Sequence, residues 1–247
     1  MKKQILSAAT GLVGLFLIWE ASHLILQSPV VPAPHQTLLE FFISLPELLP
    51  HTLSSLYRIL VAILVSLLIG IPLGIWIGES KWANRLLSPL LYFLYPIPKV
   101  AFLPVFLILY GLGDLSKIIL IIWIIVFQII LSTRDGIAQI DPKLYLALES
   151  LEAKPFDKWR HLLFPAILPQ ILSGLRVCIG IALATLFFAE NYATTYGLGY
   201  YIMNAWSVID YPDMFCGILM LSLLGFLLFQ AIDWLERLLV PWQTKKR

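Results

Sequence analysis

The sequence predicts an all-α protein that crosses a membrane about six times. Three observations carry that expectation. Of the 247 residues, 60% are hydrophobic and only 13% charged. An average soluble domain has roughly 45–50% apolar and about 25% charged residues, so these few charges could not cover a soluble surface of this size. The apolar residues also fall into six runs near the length of about 20 residues that a spanning helix needs. Finally, Lys and Arg concentrate in alternate connections between those runs, as they do where basic loops are retained on the cytoplasmic side.

The first run covers about 5–26. It opens with "MKKQIL", basic and then apolar, as a secretory signal would. Its apolar stretch continues through Glu20 to Leu26 with no small-residue cleavage site, so it reads as an uncleaved membrane helix. "SPVVPAPH" (28–35) separates it from a second run at about 56–78, and "GESKWANR" (78–85) leads to a third at about 88–110. The third contains "YPIPKVAFLP", with Pro96, Pro98 and Pro104. Proline removes a backbone donor and kinks a helix, and in a membrane the freed carbonyls need protein or water. A bent helix buried among its neighbours is expected. "GLGD" (111–114) precedes the fourth run at about 115–133. The fifth, about 165–189, carries Arg176 midway and ends at Glu190 and Asn191; the sixth is about 214–236. Cys178 and Cys216 sit inside apolar runs at no metal or redox spacing, and read as small buried hydrophobes rather than a disulfide.

With the N-terminus inside, Lys2, Lys3, Lys81, Arg85, Arg134, Lys143, Lys154, Lys158, Arg160, Arg237, Lys245, Lys246 and Arg247 are all cytoplasmic. The two long outer segments, 28–52 and 190–213, contain no Lys or Arg. Arg58, Lys99, Lys117 and Arg176 fall within or at the ends of spans. This partition predicts an even number of spans with both termini cytoplasmic.

Segment 134–164 is the one long cytoplasmic connection. Pro142 suits a helix's first turn, and "KLYLALESL" then sets Leu144, Ala147, Leu148 and Leu151 on one face. Pro155 is expected to break that helix. A second short helix, "FDKWRHLLF", would present Phe156, Trp159 and Leu163 on one side and charges on the other. Two amphipathic helices meeting at a turn form either a protruding knob that needs a partner or a loop lying on the membrane surface.

Longer stretches carry a resemblance. "LALESLEAKPFDKWRHLLFPAILPQILSGLR" is similar to a loop of the form E-A-A-x-x-x-G-A followed by L-P-x-x-x-P, with Ala147, Leu151, Ala153, Pro165, Pro169, Gly174, Leu175 and Arg176 on matching positions. Leu146, Leu148 and Glu152 depart from it, standing where that pattern has Glu, Ala and the turn Gly. "LIWEAS" (17–22), "LLPHTLSSLYRILVAILVSLLIGIPLGIWIGES" (48–80), "PLLYFLYPIPKVAFLPVFLILYGLGDLSKIILI" (89–121) and "FFAENYATTYGLGYYIMNA" (187–205) continue the likeness. The chain resembles the permease subunits of binding-protein-dependent ABC importers, in the nitrate/sulfonate/taurine branch.

The resemblance implies a type I ABC importer permease of MetI-like architecture, with 1–247 as one transmembrane domain in the bacterial inner (plasma) membrane. It implies two ABC ATPase subunits, a second permease (a second copy forming a homodimer, or a homologue forming a heterodimer), and a periplasmic or surface-tethered solute-binding protein. Lipid surrounds the helices, and nucleic acid has no part. The residues it assigns to ATPase coupling are Ala147, Leu148, Leu151, Glu152, Ala153, Lys154, Pro155 and Phe156. Glu152 is further expected to contact the ATPase, Lys154 or Lys158. The chain has no G-x-x-x-x-G-K-[ST] loop. ATP and Mg are therefore expected on the partner, with no cofactor on this chain.

Membrane depth and the resemblance together suggest Phe102, Gln128, Arg176, Glu190 and Asn191 for the translocation path. Three also have a structural reading: Phe102 in helix packing, Gln128 as a bridge between helices, Arg176 as a counter-charge. Gly197 and Gly199 read as shaping an outer turn. Two other classes compete with this reading. An intramembrane enzyme finds no support in His23, His35, His51 and His161, which form no H-E-x-x-H, and there is no G-x-S-x-G. A stand-alone secondary carrier or channel would be expected to show an internal repeat, and the halves 1–123 and 124–247 show none that is convincing. The solute itself is not legible, because the resemblance assigns its selection to the binding protein.

Overall fold

The structure is a computed structural model that describes residues 2–192 and 194–244, and all regular structure among them is helical. Lys245, Lys246 and Arg247, three of the expected cytoplasmic basic residues, lie outside the described residues. The chain divides into two compact units, Met1–Ser55 with Glu190–Leu223, and Leu56–Ala189 with Leu224–Arg247.

The first unit begins with α1 (Lys2–Leu26), whose apolar part among the described residues is Val13–Leu26. The end of α1 is tied down by Trp19, whose Nε1 donates to the Pro32 carbonyl at 3.1 Å, and by His23, whose Nδ1 lies 2.7 Å from the Val31 oxygen. The Trp19 ring also stacks on Phe215 at 5.4 Å. The segment 28–52, expected on the outer side, is mostly helical. It contains α2 (Pro34–Ile43), opened by a proline in its first turn, and the first residues of α3 (Leu45–Glu79). Segment 190–213 likewise holds a ten-residue helix, Leu198–Ser207.

In the second unit Ser80 caps α4 (Lys81–Leu94), its Oγ accepting the Ala83 N–H at 3.2 Å. A short 3-10 turn (Lys99–Phe102) and α5 (Leu103–Tyr110) follow, and the pair is bent by 82°. The bend expected from the prolines is there. The orphaned Tyr95 carbonyl is taken by Lys99 Nζ at 2.8 Å, with the ammonium 4.9 Å from the Phe127 ring centre. The expected burial holds for one face: Leu91, Lys99 and Leu103 are buried, whereas Tyr92, Phe93 and Ile108 are 73%, 79% and 84% exposed. Bending satisfies the backbone while leaving the other face uncovered by this chain.

Next come α6 (Asp114–Ala138), α7 (Pro142–Ser150), α8 (Pro155–Lys158), a π-helical turn (Trp159–Leu163) and α9 (Phe164–Glu190). The helix at Leu198–Ser207 is α10; α11 (Tyr211–Leu239) and α12 (Pro241–Thr244) complete the chain. Four helices are individually long and apolar enough to span: Leu45–Glu79, Asp114–Ala138, Pro155–Glu190 and Tyr211–Leu239. The bent pair makes up to five. In lipid, helices associate mainly by close packing, which favours small residues at the contact. Gly70, Gly74 and Gly78 form such a ridge on α3 and face Ile129, Thr133 and Ile137 of α6, which repeat at the same spacing. A Cβ on Gly74 would sit 2.5 Å from Thr133 Cβ and 2.8 Å from the Ile130 carbonyl oxygen.

Candidate functional site

The segment between α6 and α9 is built by local rules. Asp141 caps α7, its Oδ1 accepting the Lys143 N–H at 2.9 Å, and Pro142 fills the first helical position. None of the α7 side chains is buried. At its end the Ala153 N–H donates to the Leu148 carbonyl (3.1 Å) and the Glu152 N–H to that of Glu149 (3.0 Å). These two bonds define a Schellman ending, which needs a left-handed residue between helix and exit, usually glycine. Glu152 occupies that position with φ +50°. The turn therefore keeps the conformation a glycine would supply, at a cost of about 1 kcal/mol for a side chain held there.

Lys154 then donates its N–H to Asp157 Oδ2 at 3.2 Å, and Pro155 takes the first position of α8. Pro155 thus opens a helix. The second short helix is not separate, contrary to expectation. Pro165 has no N–H to give to the carbonyl four residues back, and the ladder widens just before it, with the Phe164 N–H reaching the Trp159 carbonyl. Through this π-helical turn α8 runs into α9 as one 36-residue helix, Pro155–Glu190. Phe156 and Trp159 stay exposed with rings stacked at 6.4 Å, while Leu163 turns inward. Leu151 and Phe156, which flank the turn, are 77% and 64% exposed, and Leu144 and Leu146 are exposed beside them.

Sequence reasoning missed what holds this knob. Glu79, the last residue of α3, accepts a hydrogen bond from Tyr145 Oη at 2.7 Å on Oε1, and its Oε2 pairs with Lys158 Nζ. The Lys158 ammonium lies 4.9 Å from the centre of the Tyr145 ring. Burial, reinforced by the Glu79 carboxylate, pushes the Tyr145 hydroxyl well above the ordinary tyrosine range, so it remains a donor. Lys158, a suggested partner for Glu152, is engaged by Glu79 instead.

The residues suggested for a path have distinct surroundings. Phe102 is partly exposed and contacts the Phe106 and Trp123 rings, both at 6.4 Å. Gln128 accepts from Tyr95 Oη at 2.9 Å and donates to Ser132 Oγ at 3.4 Å. Arg176 binds Asp233 Oδ1 through Nε (3.0 Å) and Nη2 (2.7 Å), and also pairs with Glu236. These three engage different partners. Asn191 is half-buried just past the end of α9.

Glu190 is wholly buried. Ser55 Oγ lies 2.9 and 3.0 Å from its two oxygens and accepts the Leu198 N–H at 2.9 Å. The Gly199 N–H donates to Glu190 Oε2 at 2.8 Å, so the carboxylate caps the positive end of α10. His51 Nδ1 takes the Gly197 N–H at 3.0 Å. Gly197 has φ +147°, and a Cβ there would come within 2.4 Å of the Glu190 carboxyl carbon, so only glycine fits.

Fold and site together define a multi-pass helical membrane protein that offers a stiff, apolar-tipped knob. The chain belongs to the family of binding-protein-dependent transport system inner membrane components, whose family model matches residues 70–245. It is 33% identical over 245 residues to the taurine transport system permease protein TauC of Escherichia coli (strain K12), covering 96% of this chain and 89% of the relative. It is 33% identical over 222 residues to the putative aliphatic sulfonates transport permease protein SsuC of Bacillus subtilis (strain 168), covering 89% of this chain and 80% of the relative. A chain of the MetNI methionine ABC transporter, in an inward-facing conformation, matches with a TM-score of 0.66 at 19% identity, covering 78% of this chain and 98% of that one. The expected type I importer architecture is therefore the fold observed, and the chain is the transmembrane permease subunit of an ABC importer.

Proposed function

We propose that two copies of this chain form the translocation path, with both termini cytoplasmic, and that each 139–164 knob docks on one of two ABC ATPase subunits. ATP and Mg then reside on the ATPases, and the permease does no chemistry. A binding protein delivers the solute from the other side. One observation carries this reading: Leu144, Leu146, Leu151 and Phe156 are exposed apolar residues on a segment whose backbone is fixed at both ends. Apolar groups presented on a stiff turn suit a protein cleft. Nucleotide closure would then favour one separation of the knobs and so one state of the helices.

The basic residues support the orientation, since 134–164 carries Arg134, Lys143, Lys154, Lys158 and Arg160, whereas 28–52 and 190–213 carry no Lys or Arg. Arg176 pairs with two carboxylates, which supports its reading as a structural counter-charge. We assign solute selection to the binding protein. The test is uptake into liposomes holding permease and ATPase, with loaded binding protein added outside. Uptake is expected only with internal ATP. Uptake without the ATPase, driven by an ion gradient, would instead establish a secondary carrier.

A further inference from the structure

We propose that Glu79 is a positioning residue that conveys movement of the knob to α3, by holding both arms of the knob to that helix's last residue. This rests on the docking role proposed for 139–164. Three elements converge on one carboxylate: α3 through Glu79 and, 66 and 79 residues further along, α7 through Tyr145 and α8 through Lys158. The two donors use different oxygens, so neither displaces the other. The Lys158 ammonium also sits on the Tyr145 ring, which closes the triangle.

The surrounding structure gives this triangle its mechanical consequence. No α7 residue is fully buried, Tyr145 and Leu148 being half-buried, so α7 has little apolar anchoring of its own. The Schellman ending and the Lys154–Asp157 bond make 148–158 stiff, so α7 and α8 move together. Because α8 is continuous with α9, a push on the knob reaches α9 through the backbone. It reaches α3 through Glu79. One exposed ion pair would do little, but Glu79 combines a pair with a charge-assisted hydrogen bond from a hydroxyl that stays protonated.

The experiment uses the whole transporter in liposomes and reads solute moved per ATP hydrolysed. Glu79→Gln keeps the shape and removes the charge. It is expected to lower that ratio roughly tenfold, the scale of a lost charge-assisted contact, while the ATPase still co-purifies. Tyr145→Phe and Lys158→Met are each expected to lower it less, and neither should add to Glu79→Gln. The exchange Glu79→Lys with Lys158→Glu should recover part of the loss. An unchanged ratio in Glu79→Gln, or full further losses on adding Tyr145→Phe to it, overturns the proposal. If Glu79→Gln does not assemble, Tyr145→Phe alone decides, since it removes one oxygen and leaves the ring. A parent permease that binds no ATPase would instead refute the docking reading.

Discussion

Two long helices end in a glutamate, and the two carboxylates live in opposite worlds. Glu190 closes α9 with 0% exposure and is met by Ser55 and a backbone N–H at the start of α10. Glu79 closes α3 with its side chain about a quarter exposed, and is met by Tyr145 and Lys158. Buried donors left without an acceptor cost far more than exposed ones, so Glu190 has one tolerated arrangement. Glu79 is partly solvated and instead ties α3 to the knob through two contacts at once. The contrast separates a locked buried junction from a partly solvated one that we propose carries movement.

The largest effect expected is from Glu190→Ala, which strands Ser55 Oγ and the Gly199 N–H in a buried site. A loss of about 3 kcal/mol is expected, at roughly 1–3 kcal/mol for each unsatisfied group. Thermal unfolding of the detergent-solubilised permease reads it; a shift close to zero would make the buried carboxylate dispensable and erase the contrast. Gly197→Ala comes next, because its Cβ meets the Glu190 carboxyl at 2.4 Å in a left-handed conformation. It should cost about 2 kcal/mol, and Ser55→Ala in the same background should add less than it does alone. On the knob side, Glu152→Gly is expected to stabilise by about 1 kcal/mol, since the turn already holds φ +50°. A loss of stability there would mean the Glu152 side chain contributes contacts that outweigh its backbone strain.

The spans were legible because a bilayer demands about 20 apolar residues, and such runs survive any reading window. The helices at 34–43 and 198–207 were not, because ten residues are too few for apolar run length to announce. The fusion of α8 with α9 was hidden because "FDKWRHLLF" is followed by Pro165, which instead sits just past a widened turn within a continuous helix. The glycine ridge at 70, 74 and 78 was visible as a spacing of four, yet its meaning needed the facing ridge on α6. The Glu79 triangle had no local signal, since Tyr145 and Lys158 stand 66 and 79 residues away. Glu152 is the instructive middle case. The departure from glycine was plain in the sequence, but whether the turn would change or the residue would bend could be read only from the backbone.

The smallest stability effect and the largest functional one should coincide at the tip of the knob. Leu151 and Phe156 are exposed, so Leu151→Ala with Phe156→Ala should leave the melting temperature of the solubilised permease unchanged. Co-purification of that double variant with its ATPase is the most direct test of the subunit's docking surface. The ATPase should be lost from an otherwise intact permease; its retention at the parent's ratio would contradict the assignment of 139–164 as the site the motor grips.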